Sequence, residues 1–103
     1  MNTHVADKEF LLAGAAEAAA LLKAVGNPHR LLVLCLLIER QEMSVGALLE
    51  HVDLSQSALS QHLARMREEG MVAYRREAQT LHYRIADPRI ERLIATLKDI
   101  FCP

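Results

Sequence analysis

The sequence predicts a mainly α-helical protein with a small β-hairpin, arranged as a winged helix-turn-helix. Residues 54–84, LSQSALSQHLARMREEGMVAYRREAQTLHYR, read as a polar-faced helix, a glycine stop and two β-prone runs that contain arginines. A helix start at Asn27-Pro28 precedes this stretch, and an apolar last helix follows it. In a small helical protein, this order is typical of one helix placed for the DNA major groove beside a hairpin wing.

The composition is that of one globular domain covering residues 1–103. Hydrophobic residues make up 51% and charged residues 24%, which excludes a disordered chain. No uncharged apolar run approaches the length of a membrane span, and the start MNTHVADKEF lacks a basic stretch followed by an apolar one. We therefore expect a cytoplasmic protein that has no membrane partner.

The first helix is predicted from about Asp7 to Val25, with Gly26 closing it. It is rich in alanine, and one stripe of its surface is apolar or small. This stripe contains Leu11, Ala15, Ala18, Ala19 and Leu22. Small residues let another helix approach closely, so the stripe indicates a dimer interface.

Asn27 and Pro28 predict the start of the second helix, because Asn caps and Pro lacks the N–H that the first turn leaves unused. This helix extends to about Arg40 and is apolar nearly all round, as a central core helix should be. One of its faces carries Leu31, Leu34, Cys35 and Ile38. Ser44 is the predicted cap of a short third helix, from Val45 to about His51.

Ser55 is the predicted cap of the fourth helix, and Gly70 is its predicted stop. The helix-turn-helix then covers residues 44–70 and the wing covers residues 71–86. In the wing, β-prone runs over residues 71–76 and 81–85 flank Glu77-Ala78-Gln79-Thr80.

Asp87-Pro88 begins the last predicted helix. Its apolar stripe contains Ile90, Leu93, Ile94, Leu97 and Phe101. Such an apolar helix needs a partner surface, and a second copy of the chain is the simplest one. The first and last helices are therefore predicted to form a homodimer.

The fourth helix has an apolar face and a polar face. Leu59, Leu63 and Met66 point toward the core, and Ser57, Gln61, Ala64 and Glu68 point away, with Gln56 and Ser60 toward the edges. Serine and glutamine suit base edges, and the helix start favours phosphate. The alternative is an ordinary solvated face. His62 flanks the apolar stripe and is interpreted as a packing residue.

Charge is distributed in favour of DNA binding, although the chain carries a net charge of −1. Residues 1–54 have a net charge of −3, whereas residues 55–84 have a net charge of +2. The candidate contacts to double-stranded DNA are Gln56, Ser57, Ser60, Gln61, Arg65, Arg75 and Arg76. Because this excess is modest, we expect a dimer that doubles the contacts.

These residues resemble the ArsR/SmtB family of bacterial winged-helix repressors. The matching segments are NPHRLLVLCLL (27–37), SVGALLEHVDLSQSALSQHLARMREEGMV (44–72) and REAQTLHYRI (76–85). The resemblance covers about residues 18–103. It implies a homodimeric repressor, not an enzyme, that binds an imperfect palindrome through the fourth helix and the wing.

The usual metal sites of the family are missing from the sequence. Metal sensors place Cys-x-Cys at the head of the third helix, where this chain has Ser44-Val45-Gly46. Other members use Asp and His pairs on the last helix, where this chain has Asp87 and Arg89. Two thiols without supporting His or carboxylate ligands make a poor zinc site, so we expect no metal.

The two cysteines are Cys35, in the second helix, and Cys102, the penultimate residue. Cysteine often packs as a small hydrophobic residue, which alone would explain Cys35. A cysteine at the end of the last helix has no such packing role. The pair resembles that of the sulfide- and persulfide-sensing branch of the family, as do the segments LLIERQEMSVGALL and IATLKDIFCP. This resemblance implies that reactive sulfur species or oxidants bridge Cys35 and Cys102 within one protomer and release DNA.

Other readings stay open at this point. The same repressor could respond to haem, a peroxide or an organometal; His29, His51 and His82 are possible haem ligands. The chain could instead be a dimerisation module that displaces another DNA-bound protein. A thiol enzyme is excluded, because the sequence has no Cys-x-x-Cys and no nucleophile beside a His base.

Overall fold

The computed structural model describes residues 8–101, and it confirms the predicted order of helices and hairpin. A π-helical stretch, Phe10–Gly14, precedes the first α-helix. The elements that follow are α1 (Ala15–Val25), α2 (Pro28–Arg40), β1 (Met43–Ser44), α3 (Val45–Leu49), α4 (Gln56–Glu68), β2 (Val72–Glu77), β3 (Thr80–Ile85) and α5 (Pro88–Phe101). The sequence did not predict the two-residue strand β1 or the π-helical stretch.

Side-chain caps begin the helices where the sequence predicted them. The Asn27 Oδ1 accepts hydrogen bonds from the backbone N–H groups of His29 and Arg30, at 2.9 and 3.1 Å. Ser44 and Ser55 each accept one backbone N–H at 3.1 Å. These bonds satisfy donors that the first turn of a helix leaves without partners, so they fix where α2, α3 and α4 start.

The helix α3 is shorter than predicted and ends at Leu49 rather than near His51. The N–H groups of Glu50 and His51 bond to carbonyls three residues back, at 3.3 and 3.0 Å. This tighter turn ends the regular α-helix.

The hairpin belongs to a three-stranded antiparallel sheet with the strand order β1-β3-β2. Glu77 pairs with Thr80, so the connection between β2 and β3 contains only two residues instead of the predicted four. Ala78, the first of these two residues, has a φ of 57°. Glycine or asparagine usually occupies such a position, which explains why the tight turn was missed.

The core lies where α2, α4, α5 and the sheet meet. Each of these elements contributes side chains that are at most 5% exposed. They are Val33, Leu34, Leu37, Met43, Leu59, Leu63, Met66, Val72, Tyr83, Ile90 and Ile94. The deepest residues of α2 are therefore Val33, Leu34 and Leu37, whereas Leu31, Cys35 and Ile38 of the predicted face are half-buried.

The π-helical stretch and parts of α1 and α5 lie outside this core. Leu11, Leu12 and Leu22 are 70%, 75% and 54% exposed, and Ile100 and Phe101 are 62% and 74% exposed. The radius of gyration is 15.6 Å, compared with about 13 Å for a compact domain of this size. The predicted apolar stripe of the first helix is therefore largely uncovered in one copy of the chain. In the last helix, Ile90 and Ile94 of the predicted stripe are buried in the core, and the uncovered apolar surface is confined to its end, at Ile100 and Phe101.

Within residues 8–101, no single helix is long and apolar enough to cross a membrane. Residues Leu11–Val25 and Pro28–Arg40 reach that length and composition only as a pair bent by 93°.

The glycine after α4 generates a prediction about stability. Gly70 has a φ of +77°, whereas a Cβ at Gly46 in α3 would make only an ordinary van der Waals contact, 4.0 Å from the Oγ of Ser44. Gly70→Ala should lower the free energy of unfolding by about 1 kcal/mol, because a Cβ disfavours the left-handed conformation. Gly46→Ala should raise it by up to ~1 kcal/mol, because alanine favours a helix. Urea unfolding measures the free energy of unfolding of both variants. Equal changes in Gly70→Ala and Gly46→Ala would contradict the prediction.

Candidate nucleic-acid interface and thiol site

The rotation of α4 is set by its apolar side. Leu59, Leu63 and Met66 are each 0% exposed and pack in the core. The opposite side carries exposed polar residues near the start of the helix: Gln56, Ser57, Ser60 and Gln61. Ala64, which was predicted on the same side, is half-buried. The structure thus brings four of the seven DNA-contact candidates together on one exposed surface, which we call the α4 polar surface.

The two wing arginines lie on opposite faces of the hairpin, because side chains alternate along a strand. Arg76 shares its face with Tyr74, two residues before it. The Tyr74 ring lies 5.4 Å from the Tyr83 ring, and the Arg67 guanidinium of α4 lies 5.2 Å from the centre of the Tyr74 ring. Arg76 therefore lies on the side of the hairpin that faces α4.

Arg75 lies on the other face, where acidic groups hold it. Its guanidinium donates two close hydrogen bonds to Glu42, at 2.8 and 2.9 Å, and it lies 3.4 Å from Glu77. The hydrogen bond from Arg75 lowers the pKa of Glu42 and raises the pKa of Arg75. The charge of Arg75 is thus largely compensated within the protein.

Two further arginines of α4 lie on its flanks. Arg65, a DNA-contact candidate, borders a cleft of about 630 Å³ beside the junction of α1 and α2. Arg67 lies over Tyr74 on the wing side, and it was not among the predicted contacts. Its position in the arginine-rich segment 55–84 was the available signal, but its contact with a tyrosine of the hairpin depends on the folded structure.

His62 lies on the same flank of α4 as Arg65, half-buried as its predicted packing role requires. Its Nδ1 accepts a hydrogen bond of 3.1 Å from the Nε–H of Arg30 in α2. Burial lowers the pKa of His62, and the nearby charges of Arg30, His29 and Arg65 lower it further. The neutral ring is therefore the form that fits this site.

The structure describes one of the two predicted thiols. Cys35 is half-buried and packs against the core from α2, the helix that packs against α5. Cys102 lies outside the described residues, directly after Phe101, the last residue of α5. The possible haem ligands lie on three separate segments: His29 in α2, His51 after α3 and His82 in β3.

A helix with an exposed polar side, preceded by a short helix and followed by a β-hairpin wing, defines the winged-helix class of DNA-binding proteins. The sequence model described as "Bacterial regulatory protein, arsR family" matches residues 27–74. The chain is 50% identical over 93 residues to the HTH-type transcriptional regulator YgaV of Escherichia coli K12, covering 90% of this chain and 94% of YgaV.

Solved structures agree with this relationship. Reduced HlyU from Vibrio cholerae N16961 superposes with a TM-score of 0.85 at 42% identity, covering 92% of this chain and 99% of HlyU. The transcriptional repressor BigR from Xylella fastidiosa superposes with a TM-score of 0.84 at 36% identity, covering 100% of this chain and 99% of BigR. The chain belongs to the ArsR family of bacterial transcription regulators; it is a regulator and not an enzyme.

The lowered pKa of His62 generates a prediction about pH. Above the ordinary histidine pKa of about 6.5 the ring is neutral in the folded and unfolded states, so its full contribution to stability is present. As the pH falls below that value, the unfolded state binds a proton first and stability is lost. Urea unfolding between about pH 7.5 and about pH 5.5 should show this loss, and His62→Gln, which keeps an acceptor but does not titrate, should reduce it. His51→Gln, at an exposed position, is the matched control; equal effects of the two variants would contradict the prediction.

Proposed function

We propose that the protein is a homodimeric repressor that reads operator DNA with α4 and releases it when Cys35 and Cys102 are bridged. The α4 polar surface is the observation that carries the DNA part of this proposal. Glutamine amides pair with two atoms of adenine in the major groove, and serine hydroxyls bond to several bases. In this proposal residues 44–70 are the helix-turn-helix, and residues 71–86 are the wing that contacts the flanking backbone.

The arginines beside α4 are proposed to contact phosphates. Arg65 and Arg67 flank the polar surface, and Arg76 lies on the α4 side of the hairpin. Arg75 contributes less in this proposal, because Glu42 and Glu77 already neutralise it. Phosphate contacts supply affinity and fix the register, whereas the α4 polar surface supplies the sequence preference.

Arg75 and Arg76 provide a matched pair for testing this proposal. Each phosphate contact contributes about 0.9 to the slope of log affinity against log salt concentration. In a dimer, Arg76→Gln should therefore weaken binding on all sequences and reduce the slope by about 2. Arg75→Gln should change the slope much less. Fluorescence anisotropy over a series of salt concentrations measures both, and a larger loss of slope in Arg75→Gln would contradict the assignment.

The uncovered surfaces of α1 and α5 support a homodimer. Five large apolar side chains on these helices and the adjoining π-helical stretch are more than half exposed. Exposed apolar surface of this kind marks interaction sites, and a twofold dimer would present two copies of α4 to successive half-sites. We therefore assign α1 and α5 to the dimer interface.

A charge placed in the apolar surface should separate the protomers. Leu22 is 54% exposed in one copy of the chain, and Leu22→Asp would bury a carboxylate in the proposed interface, which is unfavourable. We expect this variant to sediment as a monomer and to lose operator binding. Gln79→Asp places the same charge at the tip of the hairpin and should remain a dimer. A Leu22→Asp protein that still sediments as a dimer would remove α1 from the interface.

The contact between α2 and α5 supports the thiol switch. Cys35 lies in α2, and α5 leads directly into Cys102, so a bridge would tie a core helix to a helix of the proposed interface. Such a tie would change the spacing of the two α4 helices. Because a dimer reads half-sites about 34 Å apart, a small change in this spacing would cost much affinity.

The chemistry of the switch requires a sulfane sulfur donor, such as a low-molecular-weight persulfide. One cysteine thiolate attacks the outer sulfur of the donor, forms a protein persulfide and releases the donor thiolate. The second cysteine thiolate attacks the inner sulfur of that persulfide, which forms the disulfide and expels hydrosulfide. Two thiols are oxidised and one sulfane sulfur is reduced to sulfide. If both thiols become persulfides first, the bridge retains an additional sulfur atom.

Closing the loop between the two cysteines would restrict the unfolded chain by about 4 kcal/mol in the chain-entropy model. The bridged form is therefore stable enough to act as a signal. A reducing cytosol would return it to the dithiol, which makes the bridge reversible.

The order of attack is a further prediction. Apolar surroundings disfavour the reactive thiolate, so Cys102 should attack the donor and Cys35, packed against the core, should resolve the persulfide. Each protein is exposed briefly to a persulfide donor, its remaining thiols are alkylated, and its intact mass is measured. The rate at which Cys35→Ser gains sulfur should equal the rate at which the wild type loses thiols. Cys102→Ser should gain sulfur more slowly. Accumulation on Cys35 at the wild-type rate in Cys102→Ser would reverse the order.

The alternatives predict different results. A haem-responsive repressor would give a haem absorption band that changes in variants of His29, His51 or His82, and a peroxide or organometal sensor would release DNA without gaining sulfur. A module that only displaces another DNA-bound protein would show no DNA affinity of its own.

A further inference from the structure

Arg30 connects three segments of the chain through one side chain. Its Nε–H donates to the Nδ1 of His62 in α4 at 3.1 Å, and its Nη1 donates to the carbonyl oxygen of Ala24 at 3.0 Å. The same Nη1 lies 3.8 Å from the Oε1 of Glu69, directly after α4. The side chain is only 14% exposed. A largely buried guanidinium thus joins the end of α1 to α4 and to the residue that follows it.

The geometry of arginine suits this role. The guanidinium is planar and holds its donors in a fixed fork, so bonds to two partners set the angle between them. One partner, Ala24, is 7% exposed at the end of α1 where that helix enters the core. The other partner, His62, lies next to the buried side of α4 and one residue from the α4 polar surface.

We propose that Arg30 is a positioning residue that fixes the orientation of α4 relative to α1, and thereby the sequence preference of the DNA-binding surface. This inference rests on the proposed function, in which α4 reads DNA and α1 joins the protomers. A change in the angle between α1 and α4 would move both recognition helices with respect to the two half-sites.

Arg30 itself is not proposed as a phosphate contact. Its side chain is largely buried, and the Nε and Nη1 donors are directed at partners inside the protein. On the same side of α4, Arg65 is exposed and borders the cleft next to Arg30. A substitution of Arg30 should therefore lower specificity without removing a counterion-releasing contact.

The hydrogen bond between Arg30 and His62 also depends on pH. A neutral His62 accepts the Arg30 hydrogen bond, whereas a protonated ring has no acceptor and places a positive charge against the guanidinium. The charged and titratable groups that act on His62 are Arg30 and His29 of α2 together with Arg65 of α4, and Glu69 faces Arg30. Acidification below the ordinary histidine range should therefore loosen α4 and lower the sequence preference.

The test compares Arg30→Lys, Arg30→Gln and His62→Gln with the wild type on two DNA probes. One probe is a duplex selected by the wild type from a randomised pool, and the other is the unselected pool. Anisotropy over a series of salt and pH values gives the ratio of the two affinities and the salt slope. Thermal melts establish that each variant is folded at the assay temperature.

We expect both Arg30 variants to lower the affinity ratio by about tenfold, within the usual range of coupling between sites, with the wild-type salt slope. Arg30→Lys is the decisive variant, because lysine keeps the positive charge but lacks the planar set of donors that binds Ala24 and His62 together. His62→Gln should keep the ratio at neutral pH and remove part of its decrease on acidification. If Arg30→Gln does not fold, Arg30→Lys and His62→Gln carry the test.

An unchanged ratio in Arg30→Lys would overturn the inference. A smaller salt slope in Arg30→Gln would also overturn the inference. A reduction of about 0.9 per protomer in the slope of log affinity against log salt concentration would identify Arg30 as a phosphate contact. A wild-type protein that selects no sequence from the pool would contradict the proposed function itself, and the inference with it. If the wild type selects a sequence and Arg30→Lys selects it equally well, the inference about Arg30 fails while the proposed function stands.

Discussion

Burial of one side of α4 is the constraint on which the rest of the structure depends. Leu59, Leu63 and Met66 are fully buried, and each contributes about 1.5–3 kcal/mol by leaving water. A helix cannot bury this side without turning the opposite side outward, so the same burial exposes the α4 polar surface. Gln56, Ser57, Ser60 and Gln61 are thus oriented by the core and not by contacts of their own.

The flanks of α4 are held by two different kinds of contact. On the wing side, Arg67 lies over Tyr74, which ties the helix to the hairpin. On the other side, His62 and Glu69 meet Arg30, which also bonds to the end of α1. In the proposed mechanism, DNA reading, dimer formation and the thiol bridge all depend on how α4 is held. In that mechanism, a change in α1, α2 or α5 would reach the α4 polar surface through packed contacts, without a ligand touching α4.

Local signals predicted most of the fold. Asn27, Ser44, Ser55 and Gly70 mark helix ends through bonds and backbone angles within three residues, so the sequence alone locates them. The strand β1 was missed because two residues carry no pattern and need β3 to pair with. The Arg75–Glu42 and Arg30–His62 contacts join residues 33 and 32 positions apart, and no periodicity indicates such pairs. The sequence therefore grouped Arg75 with Arg76, although the hairpin places them on opposite faces.

The proposed control of DNA binding by the bridge between Cys35 and Cys102 is tested most directly by measuring both events on the same sample. Reduced protein bound to its selected duplex would be treated with a persulfide donor, and anisotropy and alkylated intact mass would be followed together. The duplex should be released in proportion to the bridged fraction, reductant should restore binding, and Cys35→Ser should stay bound throughout. Release without any loss of alkylatable thiols, or full bridging with unchanged affinity, would contradict it.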